Sequence, residues 1–131
     1  MDILIIDDEL ISRKKLLEIL KPFGNCIEIS QSSEAIDVFE HSVRTNKNFN
    51  LVTVDIHMPH PNGMILVGKF REIEKKFNVH PEKKTKIFMV TSLNDKDHVL
   101  ESLKRGSNDY ILKPFTAEQV LDRMKLHGLM K

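Results

Sequence analysis

Five polar residues follow or end short apolar runs of this sequence, and together they offer three carboxylates, a hydroxyl and an ammonium group. They are Asp7, Asp8, Asp55, Thr91 and Lys113. Three carboxylates in one small site repel each other, so without a partner they shift in pKa or cost stability. A divalent cation removes this repulsion, and a site with few protein oxygens plus water suits Mg²⁺, which keeps part of its hydration shell.

These groups are suited to phosphoryl transfer. A metal ion and Lys113 would neutralise charge on phosphoryl oxygens, Thr91 would supply a hydrogen-bond donor, and positioning would contribute most of the catalysis. A carboxylate beside the metal can attack phosphorus and form an aspartyl phosphate. The residue types therefore predict an acidic Mg²⁺ site for a phosphoryl group, provided that the fold brings them together.

The elements that must position these residues are apolar runs that alternate with amphipathic stretches. Strands are predicted at 3–6, 26–29, 51–54, 87–90 and 110–112, and a stretch with helical spacing follows each of them. Continuous apolar runs are typical of strands in a parallel sheet that helices cover on both faces. We predict an α/β fold with a five-stranded parallel sheet, doubly wound as (βα)5, in the flavodoxin-like strand order 2-1-3-4-5.

Local signals mark several helix boundaries and buried faces. Asn94 is predicted to cap the fourth helix, which bears Val99, Leu100 and Leu103. Thr116 and Gln119 form a capping-box pattern at the start of the last helix. The buried face of that helix is predicted to comprise Ala117, Val120, Leu121 and Met124, and residues 78–85 are predicted to form a polar loop.

In a sheet of this order, ligands bind outside the carboxyl ends of the strands. Asp7 and Asp8 follow the first strand, Asp55 ends the third, and Thr91 and Lys113 stand at the ends of the fourth and fifth. Taken singly, each has an ordinary alternative: a helix-dipole carboxylate, a turn aspartate, a β-branched strand residue or a solvated lysine. Their common edge is what favours a functional site.

Composition limits the function classes. The 131 residues suit one domain over 1–131, and 40% hydrophobic with 30% charged residues is typical of a soluble globular protein. The net charge of +1 predicts no direct nucleic-acid binding and no attraction to an anionic membrane. With no signal peptide or membrane-spanning run, we expect a cytoplasmic protein in which the single cysteine, Cys26, is a buried, inert thiol.

The sequence resembles the receiver domains of two-component response regulators over nearly its whole length. Four segments carry the resemblance: Ile3-Leu4-Ile5-Ile6-Asp7-Asp8-Glu9, Val54-Asp55-Ile56-His57-Met58-Pro59 with Gly63, Val90-Thr91-Ser92, and Gly106-Ser107-Asn108-Asp109-Tyr110-Ile111-Leu112-Lys113-Pro114-Phe115. Each segment alone is weak evidence, but four of them in the right order are strong evidence.

The resemblance implies a role for each site residue. Asp55 would accept the phosphoryl group, and Mg²⁺ would be bound by the Asp8 and Asp55 side chains and the His57 backbone carbonyl. Asp7 would orient a metal-bound water. Thr91 and Lys113 would contact the phosphoryl group, and Thr91 and Tyr110 would form the switch. The bond between Lys113 and Pro114 would be cis.

The resemblance also implies the partners. The donor would be a histidine kinase or a histidine phosphotransfer protein, and the readout surface would be the fourth helix, fifth strand and fifth helix, where a homodimer is a hypothesis. The chain would catalyse only its own phosphorylation and dephosphorylation, and it would be a stand-alone receiver or part of a longer protein.

A second hypothesis is that Leu93 shields the acyl phosphate from water. The rate of phosphate loss from wild type and from Leu93→Glu would test it.

Three other functions remain open at this point. A hydrolase with an aspartyl-phosphate intermediate would usually show Asp-x-Asp near the first strand, where this chain has Asp7-Asp8. A flavin-binding module would need a phosphate loop after the first strand, which the acidic residues oppose. A phosphorylation-independent interaction domain would not need the complete acidic set.

We expect only a modest effect of the His57 imidazole on dephosphorylation, and surface positions for His41, His60, His80, His98 and His127.

Overall fold

A computed structural model describes residues 1–92 and 96–130 of the protein. Its strands are β1 (Asp2–Ile6), β2 (Asn25–Ile29), β3 (Leu51–Asp55), β4 (Lys86–Ser92) and β5 (Asp109–Lys113). Its α-helices are α1 (Leu10–Leu20), α2 (Ser32–Arg44), α3 (Gly63–Lys76), α4 (Lys96–Arg105) and α5 (Ala117–Leu126). Short 3₁₀ helices occupy Lys21–Phe23 and Pro81–Lys83.

The five strands form one sheet in the order β2-β1-β3-β4-β5, and every neighbouring pair is parallel. The predicted fold class and strand order are therefore confirmed. Asp55 pairs in register with Val90, and Lys113 pairs with Ser92. The ends of β3, β4 and β5 thus stand side by side, as the site requires.

The hydrophobic core has two halves, one on each face of the sheet. Leu4 and Ile6 of β1 belong to the half that includes the buried side chains of α2 and α3, whereas Ile3 and Ile5 belong to the half that includes those of α1 and α5. Side chains alternate between the faces of a strand, so a strand covered on both faces must be apolar throughout. This is why the central strands read as continuous apolar runs.

The apolar residues of α4 and α5 are only partly buried, and the predicted buried face of α5 is correct in part. Val99 of α4 is buried, but Leu100 and Leu103 are 58% and 37% exposed, because α4 faces the core through Val99 and Ser102, three residues apart. In α5 the capping box of Thr116 is present, and Val120 and Met124 are buried, while Ala117 is exposed. The predicted cap Asn94 lies outside the described residues.

Cys26 is half-buried rather than buried. Burial, together with the charge of Glu28, raises the pKa of the Cys26 thiol, so the thiol is held in its unreactive neutral form. Within the described residues, no helix is long and apolar enough to cross a bilayer.

The prediction of a surface position is wrong for one histidine. His41, His60, His80 and His98 are exposed, but the His127 ring lies 5.2 Å from the Phe88 ring, and its Nε2 is 2.8 Å from Asp109 Oδ2. Asp109 is itself buried at the start of β5, and Arg123 Nη1 lies 3.4 Å from the same oxygen. His127 thus helps to attach the end of α5 to the sheet.

The connection formed by residues 78–85 is more ordered than the polar loop that the sequence predicted. They include the Pro81–Lys83 helix, and Thr85 is buried, with its N–H donating to Glu74 Oε2 at 2.9 Å. The length of this connection brings the basic residues Lys83 and Lys84 beneath the amino ends of the strands, next to the connection that precedes β3.

Candidate functional site

The three predicted carboxylates converge at the carboxyl edge of the sheet. Asp7, Asp8 and Asp55 each offer a ligand oxygen, and these oxygens lie within 4.8 Å of one another. Asp7 is 1% exposed and Asp55 is 5% exposed, whereas Asp8 is exposed to solvent. The site is thus closed on the side of the sheet and open where Asp8 stands, so that water and a donor can enter.

Backbone hydrogen bonds orient the two buried carboxylates. The N–H of Glu9 donates to Asp7 Oδ1 at 2.8 Å, and the N–H of His57 donates to Asp55 Oδ1 at 3.0 Å. In each case the donor is two residues further along the chain, which is the spacing of an Asx turn. Each aspartate therefore keeps its second oxygen available to other groups of the site.

The loop that follows Asp55 packs tightly against the start of α3. A Cβ added to Gly63 would lie 2.4 Å from the Asp55 carbonyl oxygen and 2.8 Å from Ile56 Cα, so a side chain there would have to displace backbone. The Gly63 N–H donates to the Ile56 carbonyl at 3.1 Å. Glycine at this position thus permits the close approach that holds the end of β3 in place.

Lys113 brings its charge between the two buried carboxylates. Its Nζ lies 3.5 Å from Asp7 Oδ2 and 3.6 Å from Asp55 Oδ2, and the side chain is 22% exposed. The peptide bond that follows it, to Pro114, is cis, as the resemblance implies. Lysine at this point reduces the repulsion between the carboxylates and remains accessible to an anionic group from solvent.

Two basic residues of α1 support the site, and no motif indicated them in advance. Arg13 Nη1 donates to the Asp7 carbonyl at 2.9 Å. Lys15 Nζ donates to the Phe115 carbonyl and lies 4.6 Å from the centre of the Phe115 ring. Because these contacts join α1 to segments that are distant in sequence, only the folded chain reveals them.

The electrostatics of Asp7 favour a bound cation. Burial, with an added contribution from the neighbouring Asp55 carboxylate, raises the pKa of Asp7 to about 6. Asp7 Oδ2 is buried and accepts no hydrogen bond from the described residues, although the Lys113 ammonium group lies 3.5 Å from it. The converging oxygens of Asp7, Asp8 and Asp55 fit Mg²⁺, which would take carboxylate oxygens and waters as its ligands.

Thr91 lies in β4, the neighbour of β3, and Tyr110 lies in β5, the edge strand beyond β4. Thr91 is 1% exposed and is the neighbour of Val90, the residue that pairs with Asp55. Tyr110 is half-buried, and its ring lies 6.0 Å from the Arg123 guanidinium. The register thus sets Thr91 one residue beyond the partner of Asp55, and Tyr110 lies near the amino end of the fifth strand.

The His57 imidazole is exposed, and its ring centre is 5.9 Å from that of His98 in α4. Its main-chain N–H is the group that contacts Asp55, while the predicted metal-binding role of its carbonyl stays a prediction. Leu93, the predicted shield of the acyl phosphate, lies outside the described residues.

Comparison with known proteins gives consistent results. The family described as "Response regulator receiver domain" matches residues 3–125. A Chemotaxis protein CheY homolog of Campylobacter jejuni is 32% identical over 127 residues, which cover 95% of this chain and 90% of that protein. The Aerobic respiration control protein ArcA of Escherichia coli is 30% identical over 94% of this chain and 46% of its own length.

A solved structure agrees over the whole chain. The crystal structure of the CheX-CheY-BeF3-Mg+2 complex from Borrelia burgdorferi matches with a TM-score of 0.80 and 26% identity, covering 100% of this chain and 90% of that one. The likeness thus covers nearly the full length of both chains.

Proposed function

Because this chain belongs to the family of response regulator receiver domains, we propose that it is a signalling switch whose Asp55 accepts a phosphoryl group in a Mg²⁺-dependent reaction. We propose a histidine kinase or a histidine phosphotransfer protein as the donor. The observation that carries the proposal is the convergence of Asp7, Asp8 and Asp55, with the Lys113 ammonium group near Asp7 and Asp55, at the edge where a parallel sheet binds its ligands.

In the proposed reaction, a carboxylate oxygen of Asp55 forms a bond to phosphorus while the bond from phosphorus to the donor's imidazole nitrogen breaks. The imidazole leaves with the electron pair of that bond, and Asp55 becomes an acyl phosphate. Lys113 Nζ, which lies 3.6 Å from Asp55 Oδ2, would pair with a phosphoryl oxygen, and Thr91 would donate a hydrogen bond to another. Hydrolysis of the acyl phosphate by water would later restore the carboxylate.

The metal would be held by the side chains of Asp8 and Asp55 and by the backbone carbonyl of His57, while Asp7 would orient a metal-bound water. When bound, Mg²⁺ neutralises charge on the phosphoryl oxygens during transfer. The exposed position of Asp8 supports this assignment, because a Mg²⁺ ion needs room for the waters that it keeps.

We further propose that phosphorylation shifts an equilibrium between two conformations through Thr91 and Tyr110. The readout surface would be formed by α4, β5 and α5. An apolar cleft supports this choice, since Tyr110 and Leu112 of β5 line it together with the exposed Leu100 and Leu103 of α4. Residues 1–131 would form one cytoplasmic receiver domain, with no direct contact to nucleic acid or membrane.

The test is measurement of intact mass after incubation with Mg²⁺ and a small phosphoryl donor, either acetyl phosphate or phosphoramidate, which carries a phosphorus–nitrogen bond. Wild type should gain one phosphoryl group and Asp55→Asn none, because the amide is not a nucleophile. Chelation of Mg²⁺ should prevent the gain. Asp37→Asn, which removes an exposed carboxylate of α2, is the matched control and should behave as wild type.

Two results would contradict the proposal. One is the absence of an adduct on wild type with either donor, and the other is an equal adduct on Asp55→Asn. Steady release of phosphate from a phosphomonoester by wild type would instead favour a hydrolase.

A further inference from the structure

Arg13 lies near the start of α1 and joins the main chain of the acidic site to β2. Its Nη1 donates to the Asp7 carbonyl at 2.9 Å, and its Nε lies 3.2 Å from Glu28 Oε1. The Arg13 side chain is 14% exposed, so both contacts are largely shielded from water. A guanidinium group is planar and presents its donors in fixed directions, so it can hold two partners at once in a defined geometry.

The main chain at Asp7 is held on both sides. The Asp7 N–H donates to the Ile29 carbonyl at 3.1 Å, which continues the pairing of β1 with β2, and the Asp7 carbonyl accepts from Arg13. These two contacts fix the direction in which the chain leaves β1. The Asp7 and Asp8 side chains start from this point, so their positions depend on it.

The start of α1 has no side-chain cap to fix the same turn. Glu9 is the N-cap residue, but its side chain makes no capping hydrogen bond, and its Oε1 instead accepts from the Ser12 hydroxyl at 2.6 Å. Uncapped helix ends leave backbone donors unsatisfied and fray readily. The bond from Arg13 to the Asp7 carbonyl spans the whole turn from β1 into the first turn of α1, and it therefore provides an attachment that a cap does not.

We propose that Arg13 is a positioning residue of the acidic site. By holding the Asp7 carbonyl, with Glu28 as its anchor, it would keep the Asp7 and Asp8 carboxylates in the arrangement that binds Mg²⁺. This inference rests on the proposed Mg²⁺ site. Groups that orient the ligands of a metal raise its affinity without contacting it.

The sign of the effect separates positioning from charge. A guanidinium ion near the site repels another cation, so removal of its charge alone would leave Mg²⁺ binding unchanged or tighten it. Loss of positioning would weaken Mg²⁺ binding instead. The two explanations for a contribution of Arg13 thus predict opposite changes in affinity.

The experiment is a titration of the full chain with Mg²⁺, followed by backbone amide NMR. Arg13→Gln should bind Mg²⁺ about tenfold less tightly than wild type. Arg13→Lys keeps the charge without the planar set of donors and should resemble Arg13→Gln. Lys14→Gln is the matched control, because Lys14 is 54% exposed and pairs with the other oxygen of Glu28 at 3.0 Å. It removes the same charge one residue away and should bind Mg²⁺ at least as tightly as wild type.

Two further measurements separate positioning from a general loss of stability. The Glu9 N–H, which donates to Asp7 Oδ1 at 2.8 Å, should exchange with solvent faster in metal-free Arg13→Gln than in metal-free Lys14→Gln. Amides of β4 and β5 should exchange equally in the two variants. Glu28→Gln should weaken Mg²⁺ binding when Arg13 is present and have no further effect in Arg13→Gln, because Glu28 would act through Arg13.

Three results would overturn the inference: Mg²⁺ binding by Arg13→Gln as tight as that of wild type or tighter, an equal loss of affinity in Arg13→Gln and Lys14→Gln, or full affinity in Arg13→Lys. Glu28→Gln decides the question if Arg13→Gln does not fold, and full Mg²⁺ affinity in that variant would then overturn it. A wild-type chain that binds no Mg²⁺ would overturn both this inference and the proposed function. Wild type that binds Mg²⁺ but gains no phosphoryl group would contradict the proposed function alone.

Discussion

Asp7 is the most buried carboxylate of the acidic site, and its environment opposes its charge. It is 1% exposed, it faces the Asp55 carboxylate, and its pKa is raised to about 6 mainly by burial. Lys113 at 3.5 Å and the Glu9 N–H at 2.8 Å offset only part of that penalty. The Asp7 carboxylate therefore lowers the stability of the folded protein. A function that needs several negative charges close together would explain why an aspartate occupies this position.

Asp7→Asn should stabilise the protein in the absence of Mg²⁺ at pH 7. The amide keeps the shape of the side chain and removes the buried charge, which gives a gain on the order of 1–2 kcal/mol in the free energy of unfolding. Urea denaturation measures this gain, and Asp122→Asn, an exposed change in α5, is the control. The same variant should bind Mg²⁺ less tightly, so a gain in stability with full Mg²⁺ affinity would contradict the assignment of Asp7 to the metal site.

The gain from Asp7→Asn should depend on pH. A carboxyl whose pKa is raised from 3.8 to about 6 on folding binds more protons in the folded state, so wild type loses stability as pH rises through that window. Asparagine does not titrate. The difference between variant and wild type should be small at pH 4 and complete above pH 6, and a difference independent of pH would refute the burial argument.

At the scale of elements, α3 is joined to the sheet by a buried charge network. Arg71 Nη1 lies 2.6 Å from Glu74 Oε1, and Glu74 is 1% exposed. Arg71 also donates to the Gly106 carbonyl and to Asn108 Oδ1, each at 2.9 Å, in the turn between α4 and β5. The network therefore connects α3 with the amino ends of β4 and β5, the two strands that carry Thr91 and Tyr110.

Glu74→Gln should destabilise the protein by about 3 kcal/mol, because it leaves the Arg71 guanidinium without its buried counter-ion. Glu72→Gln, two residues earlier in the same helix, is the control. Its carboxylate is 73% exposed and 3.8 Å from Lys69, so a change below about 0.5 kcal/mol is expected. Chemical denaturation compares the two, and equal effects would show that the buried network contributes no more than a surface pair.

At the scale of the whole molecule, the chain presents three different surfaces. The carboxyl edge of the sheet holds the acidic site, the amino edge holds a cleft lined by Lys83, Lys84 and Lys86, and the face of α4, β5 and α5 exposes apolar side chains. The contacts from β3 to β4 and from β4 to β5 connect the acidic site to that apolar face. A conformational change at Asp55 would therefore reach the proposed readout surface through only two pairs of neighbouring strands.

Phosphorylation-driven dimers should be detectable by size-exclusion chromatography with Mg²⁺, with and without beryllofluoride. We expect earlier elution with beryllofluoride, because a more active conformation would present the apolar face to a second copy. Leu100→Glu should abolish the shift, since Leu100 is 58% exposed on that face. Ile27→Glu, at a 46% exposed position on the opposite edge strand β2, should preserve it, and identical elution of wild type under both conditions would argue against such dimers.

Sequence patterns were sufficient for the fold class, the strand order and the position of the five polar residues at strand ends. These properties are local or follow from few topological rules: apolar runs mark buried strands, and right-handed crossovers limit their order. The capping box of Thr116 was also predictable, because both of its hydrogen bonds lie within four consecutive residues. The family resemblance added roles, which the geometry around Asp7, Asp55 and Lys113 supports.

Other properties were decided only by the tertiary structure. The position of His127 against Phe88 and Asp109, the contact of Lys15 with Phe115, and the approach of Lys83 to Asn48 all join segments that are far apart in the sequence. The exposure of Leu100 and Leu103 also could not be predicted from the sequence. Periodicity predicts an apolar stripe on a helix but not how much of that stripe the neighbouring elements cover. The sequence by itself thus determined which groups stand at the carboxyl edge, whereas packing between distant segments decided their burial, their charge balance and the surfaces left for partners.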